Sequence, residues 1–174
     1  MSVGGVHLSH AQPSLRVPIL WGFVVGAIQA ASPLGLAWLE PATVQALLLC
    51  FIAAVYVGFA VADGRPHVIA IECVVAGVFV LLASLSVTGT AWLLVVGYVG
   101  HGLKDFWQER HHFVVNTRWW PPFCACVDFV VALVLIVEID ASSSGSWSVW
   151  SSPLPAPGPV ATQSATRAGP TSAR

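Results

Sequence analysis

In a chain of 174 residues with only 9% charged side chains, one stretch concentrates the groups able to do chemistry. It is His101–Asp128, HGLKDFWQERHHFVVNTRWWPPFCACVD. On a helix, His101, Asp105, Gln108 or Glu109, and His112 recur at i, i+4, i+7 or i+8, and i+11, which places them along one face. That stripe presents an imidazole, a carboxylate, a further polar group and a second imidazole, a combination that suits zinc, iron or manganese. His111 adds another imidazole, although neighbours such as His111 and His112 cannot face the same way on a regular helix. Asp128 follows Pro122, and Glu72 follows Pro66, at the same short interval. At 1.5 Å per residue each acid stands roughly 9 Å inside its helix. A carboxylate at that depth in a membrane costs at least a few kcal/mol unless it is paired, protonated or metal-bound.

The elements that hold these groups follow from composition. Hydrophobic residues make up 56% of the chain, and the mean hydropathy is +0.79. A soluble domain is typically about 25% charged, so this chain lacks the polar surface of one. Its long apolar runs read as membrane helices, because lipid leaves the backbone no outside hydrogen-bond partners. The expected architecture is all-α, a five-span transmembrane bundle. Span 1 covers about 17–39, with a kink or early end near Ala31 ahead of Pro33. Span 2 covers about 42–62, span 3 about 67–85, span 4 about 90–103 with an extension through His112, and span 5 about 123–139. Glu40-Pro41 and Asp63-Gly64-Arg65-Pro66 are turns. Residues 1–16 form an arm, and residues 141–174, rich in Ser, Pro, Ala, Gly and Thr, form a tail too polar to fold. Span 1 is read as retained rather than cleaved as a signal peptide, since the arm carries only Arg16 and no small-x-small site follows.

Arg16, Arg65, Lys104, Arg110 and Arg118 fall on one side of this topology, which the positive-inside rule makes cytoplasmic. The N-terminus is then cytoplasmic and the tail outside. A net charge of −1 argues against a nucleic-acid partner. One Lys against six Arg, with much Ala, Val and Gly, suits a high-GC bacterial genome and so an inner membrane. The cysteines imply no disulfide framework. Cys124-x-Cys126 could bind a soft metal, but residues two apart on a helix do not share a face, and inert thiols are the expectation.

An internal repeat also emerges. Tyr56-Val57-Gly58 precedes Asp63 as Tyr98-Val99-Gly100 precedes Asp105, and Glu72-x-Val-Val-Ala parallels Asp128-x-Val-Val-Ala. Spans 2–3 and 4–5 would then be duplicated parallel hairpins, an arrangement that places sites at the repeat interface. Val, Ala and Gly are abundant enough that the match can also be fortuitous.

The candidate set is thus Asp63, His67, Glu72, His101, Asp105, His111, His112 and Asp128, all towards the cytoplasmic side. Three readings stay open. In the first, Asp63, His67, His101, Asp105, His111 and His112 supply ligands to a divalent metal such as Zn or Fe. Glu72 and Asp128 are then catalytic, and a membrane lipid is a candidate substrate. In the second, Glu72 and Asp128 carry protons or ions in a small transporter or channel, oligomeric because five spans make a thin pathway. In the third, the polar groups fasten helices in a non-catalytic membrane subunit. Arg118 could meet a lipid phosphate, but Trp119, Trp120 and the two prolines also read as an interface anchor and a helix start.

His101-x3-Asp105, then His112, Pro122 and Cys124-x-Cys-x-Asp128, resembles a family of small bacterial multi-span membrane proteins that has no assigned activity. The resemblance covers about a quarter of the chain. It implies a multi-span membrane fold and nothing about reaction or substrate.

Overall fold

A computed structural model describes residues 15–115 and 117–143. Within them the chain is helical, in the order α1 (Arg16–Ala30), α2 (Ser32–Gly35), α3 (Pro41–Asp63), α4 (Pro66–Thr88), α5 (Trp92–His111) and α6 (Trp120–Ser143). No strand occurs among the described residues. The helix starts have a chemical cause. Pro41 and Pro66 open α3 and α4, where the missing N–H costs nothing and φ is already set for a helix. Gly64 ends α3 in the left-handed conformation, φ 79°, as a glycine after a helix does. The expected interruption of span 1 is present: α1 stops at Ala30 and the short α2 carries Pro33.

Helices α3, α4 and α6 are long and apolar enough to cross a membrane. Helix α1 has 15 residues, and α5 carries His101, Lys104, Asp105, Glu109 and Arg110 among apolar neighbours. The arm before residue 15 and the tail after residue 143 lie outside the described residues, but α6 runs through Ser143, so residues 141–143 are helix and not tail.

The radial distribution of side chains is inverted relative to a water-soluble bundle. Leu20, Phe51, Val74, Leu81 and Leu133 are exposed, while Gln45, Glu72, His101, Asp105, Gln108 and Asp128 are buried. Hydrocarbon faces out and hydrogen-bonding groups face in, as a lipid solvent requires.

Helices α3 and α4 form one hairpin and α5 and α6 another, with α5 lying against α4 and α3 and with α1 laid along α6. Two glycines set that last contact. A Cβ at Gly22 would fall 2.6 Å from the Phe123 carbonyl oxygen and 2.6 Å from the Cys126 Cβ; one at Gly26 would fall 2.9 Å from the Val130 Cβ. Gly22-x3-Gly26 is therefore the flat strip that lets two backbones touch, a common device where no hydrophobic effect drives helix association.

Candidate functional site

The site is assembled by two matching i, i+4 pairs on antiparallel helices. His101 and Asp105 project from α5; Cys124 and Asp128 project from α6. One ligand atom from each of the four lies within 4.8 Å of the others. His101, Asp105 and Asp128 are fully buried, and Cys124 is 3% exposed. His101 Nδ1 sits 2.8 Å from Asp128 Oδ2 and 3.7 Å from Asp105 Oδ2. The imidazole is fixed edge-on between the Tyr56 ring, centroids 5.8 Å apart, and the Phe79 ring, 5.0 Å apart. A neutral imidazole donating Nδ1–H to Asp128 leaves Nε2 as a bare lone pair.

Around this core stands a polar collar. Tyr56 donates its hydroxyl to Asp105 Oδ1 at 2.5 Å. Lys104 Nζ lies 3.4 Å from the centroid of the same tyrosine ring and 3.0 Å from Glu72 Oε2. The ammonium makes an ion contact with Glu72 without aligned hydrogen-bond geometry. Asp105, Asp128 and Glu72 together place three carboxylates against the single Lys104 ammonium in the apolar interior. Moreover, His101 Nε2, Asp105 Oδ2 and Asp128 Oδ1 are buried without any hydrogen-bond partner. Orphaned buried polar atoms cost about 1–3 kcal/mol each, more when charged, so three of them on residues of one compact group call for a binding partner.

A strap closes the Asp63 end of the site. Beyond α5 the chain turns at His112, φ 48°, and again at Arg118, φ 46°, both left-handed and strained for residues with a Cβ. Between them Gln108 grips Val114 at both backbone atoms: its Nε2 donates to the Val114 carbonyl at 2.7 Å, and its Oε1 accepts from the Val114 N–H at 3.3 Å. Asp63 accepts from the Val115 N–H at 3.0 Å, and Arg65 donates to the Phe113 carbonyl at 2.6 Å. Arg65 also pairs with Asp63 at 2.6 Å, a hydrogen bond that raises the guanidinium pKa above its ordinary value. Val114, fully buried, is thereby pressed onto Tyr56, Ala60, Val68 and Trp120.

Gln108→Ala removes two hydrogen bonds from this strap, worth about 0.5–1.5 kcal/mol each. In a chain whose other cysteines are replaced, it should speed labelling of Cys124 by a small methanethiosulfonate at least about ten-fold, the factor equivalent to 1.4 kcal/mol. An unchanged labelling rate would show that the strap does not control access.

Of the residues expected from the sequence, the structure gathers His101, Asp105 and Asp128. Glu72 stands beside them but pairs with Lys104, so α5 lies between the two acids that occupy matching places in the repeat. Asp63 is committed to Arg65 and Val115 at the strap. His67 is exposed in the first turn of α4, and His111 and His112 are exposed at the end of α5. The stripe that pointed to His112 ends where the helix does, because left-handed His112 is its C-cap. Cys124, considered as a soft-metal ligand with Cys126 and set aside as an inert thiol, joins the group. It lies on the Asp128 face, one turn earlier, whereas Cys126 faces Gly22 of α1. The Cys-x3-Asp spacing, a mirror of His-x3-Asp, was the available signal. No family model matches the chain, and no curated protein or solved structure matches it.

Proposed function

We propose that this is an integral membrane protein of five spans whose interior binds a divalent metal ion between α5 and α6, through His101, Asp105, Cys124 and Asp128. The observation that carries the reading is the set of unpartnered buried atoms on three of those residues, within a group whose ligand atoms cluster inside 4.8 Å. One imidazole nitrogen, one thiolate and two carboxylates make a donor set that suits Zn or Fe(II). A divalent ion also offsets the excess of carboxylates over ammonium that lipid would otherwise penalise. Helices α1 and α5 complete the five spans: apart from Arg16, Arg110 and His111 at their Asp63 ends, their exposed side chains are apolar, and the other charged groups of α5 turn at least partly inward. Arg16, Arg65, Arg110 and Arg118 all sit at the Asp63 end, which makes that end cytoplasmic, in a bacterial inner membrane, by the positive-inside rule.

The reading is one of binding rather than lipid chemistry. A reactive metal centre keeps an open coordination position, and here all four residues are shielded from the surrounding lipid. Protein purified in mild detergent from cells grown with added Zn and Fe should carry about one ion per chain, the metal displacing the ligand protons as it binds. Asp105→Asn/Asp128→Asn should lower that content at least about ten-fold, given that changes merely beside a metal ligand already cost 10–100-fold in affinity. Elemental analysis that finds neither metal in the folded wild-type protein refutes the proposal.

A further inference from the structure

The polar groups do not stop at the four ligands. On α5, Tyr98, His101, Asp105 and Gln108 recur at spacings of three, four and three along one buried line, about 15 Å long at 1.5 Å per residue. At the Glu40 end this line meets oxygen atoms from two other helices. Tyr98 donates its hydroxyl to the Gln45 backbone carbonyl at 2.9 Å and lies 3.2 Å from Gln45 Oε1. Gln29 Nε2 in turn donates to the Tyr98 hydroxyl at 3.1 Å. Helix α1 breaks at this level. Its last carbonyls, those of Gln29 and Ala30, accept from Gln45 Nε2 at 3.3 and 3.4 Å, and that of Gln29 also accepts from the Ser32 hydroxyl at 2.6 Å.

The C-terminal end of a helix bears a partial negative charge. In membrane transporters, interrupted helices aim such ends and their freed carbonyls at cations. The break of α1 at Ala31 places such an end on the buried line, within about one helical turn of the Glu40 end of α3. Oxygen donors thus lie on one side of the site, with Gln29 only partly buried, and the Gln108–Val114 strap closes the other side. A metal that only stiffened the bundle would need the four ligands alone. It would not need a helix interrupted beside the Tyr98 end of the line, nor a further line of hydroxyl and amide oxygens costly to keep in an apolar core.

From this geometry we infer that the bound ion is cargo: the bundle passes a divalent cation along the line from Gln29, Gln45 and Tyr98 through the four-residue site towards Gln108. The inference rests on the metal-binding reading and adds passage to it. Conduction needs a site that the ion can both reach and leave, and the half-open, half-strapped line provides the two ends.

The test uses the full chain in sealed phosphatidylethanolamine–phosphatidylglycerol vesicles with an entrapped fluorescent Zn2+ indicator, a parallel Fe2+ series, and equilibrium metal binding measured in detergent. Wild-type protein should admit Zn2+ or Fe2+ at least about ten-fold faster than protein-free vesicles, whose hydrocarbon core rejects ions. Asp105→Asn/Asp128→Asn should lose both binding and flux. Tyr98→Phe, which keeps the ring, and Gln45→Leu should retain binding while flux falls about ten-fold, the order expected for one lost polar contact on the path. Stoichiometric binding with flux no greater than that of empty vesicles overturns the cargo inference and leaves the binding site standing. Undiminished flux in both Tyr98→Phe and Gln45→Leu overturns the assigned line. Absence of binding in the wild type removes the metal reading and this inference together.

Discussion

Glu72→Leu should destabilise the protein by about 3–5 kcal/mol, the usual cost of stranding one member of a buried ion pair. Glu72 is 2% exposed and Lys104 12%, so neither can recover its lost partner from water. The ammonium left behind would keep only the Tyr56 face, worth roughly 2 kcal/mol at best when desolvated. Glu72→Leu/Lys104→Met should then regain most of the loss, since replacing a buried pair by apolar groups of similar volume is often neutral. Unfolding in detergent, followed by circular dichroism, measures both variants. A double variant no more stable than Glu72→Leu would mean that Glu72 is held by something other than its charge.

Gly22→Leu should be the second severe change. Its Cβ alone would sit 2.6 Å from a backbone oxygen of α6, and backbone cannot rotate aside as a side chain can. Helix α1 must therefore separate from α6, with a loss towards the upper end of the roughly 1–3 kcal/mol typical of overpacking, or beyond it. Gly77 is the internal control: nothing lies within 4 Å of a Cβ built there, so Gly77→Leu should stay within about 0.5 kcal/mol of wild type. Equal unfolding midpoints for Gly22→Leu and Gly77→Leu would refute the close-contact account of α1. The displaced α1 should also carry Gln29 away from Tyr98.

The helices were legible because the same residues act locally and globally. Pro41 and Pro66 start helices wherever they occur in such a context, and the runs between them are apolar throughout, so the expected spans match α3 and α4 to within a few residues. Pro33 announced the break at Ala31 for the same local reason. His101 and Asp105 were legible as a pair because helical spacing is a short-range rule, and Asp128 because an acid at its depth needs a reason. Cys124 was set aside as an inert thiol: a buried thiol counts as apolar in any hydropathy reading, and only its neighbours across the α5–α6 contact place it among polar groups. His112 failed in the opposite sense. The stripe rule holds only while the helix lasts, and no local signal distinguishes His112 from a residue one turn further inside. The placement of Glu72 on Lys104 instead of opposite Asp128 depends on which helix lies between the hairpins, and a repeat in one sequence does not encode that.

The inward-facing charges of α5 have a consequence for how the chain is made. By insertion scales, Asp and Lys each cost about 2.5–3.5 kcal/mol near the middle of a membrane helix, so α5 is a poor candidate to leave the translocation machinery on its own. Its partners reside elsewhere: Glu72 on α4, already synthesised, pairs with Lys104, and Asp128 on α6, not yet made, meets His101. Biogenesis of this protein is then a matter of timing. In the five-span reading proposed above, α5 would wait beside α4 until α6 emerges, and the eight residues from His112 to Trp119 would set how short that wait is.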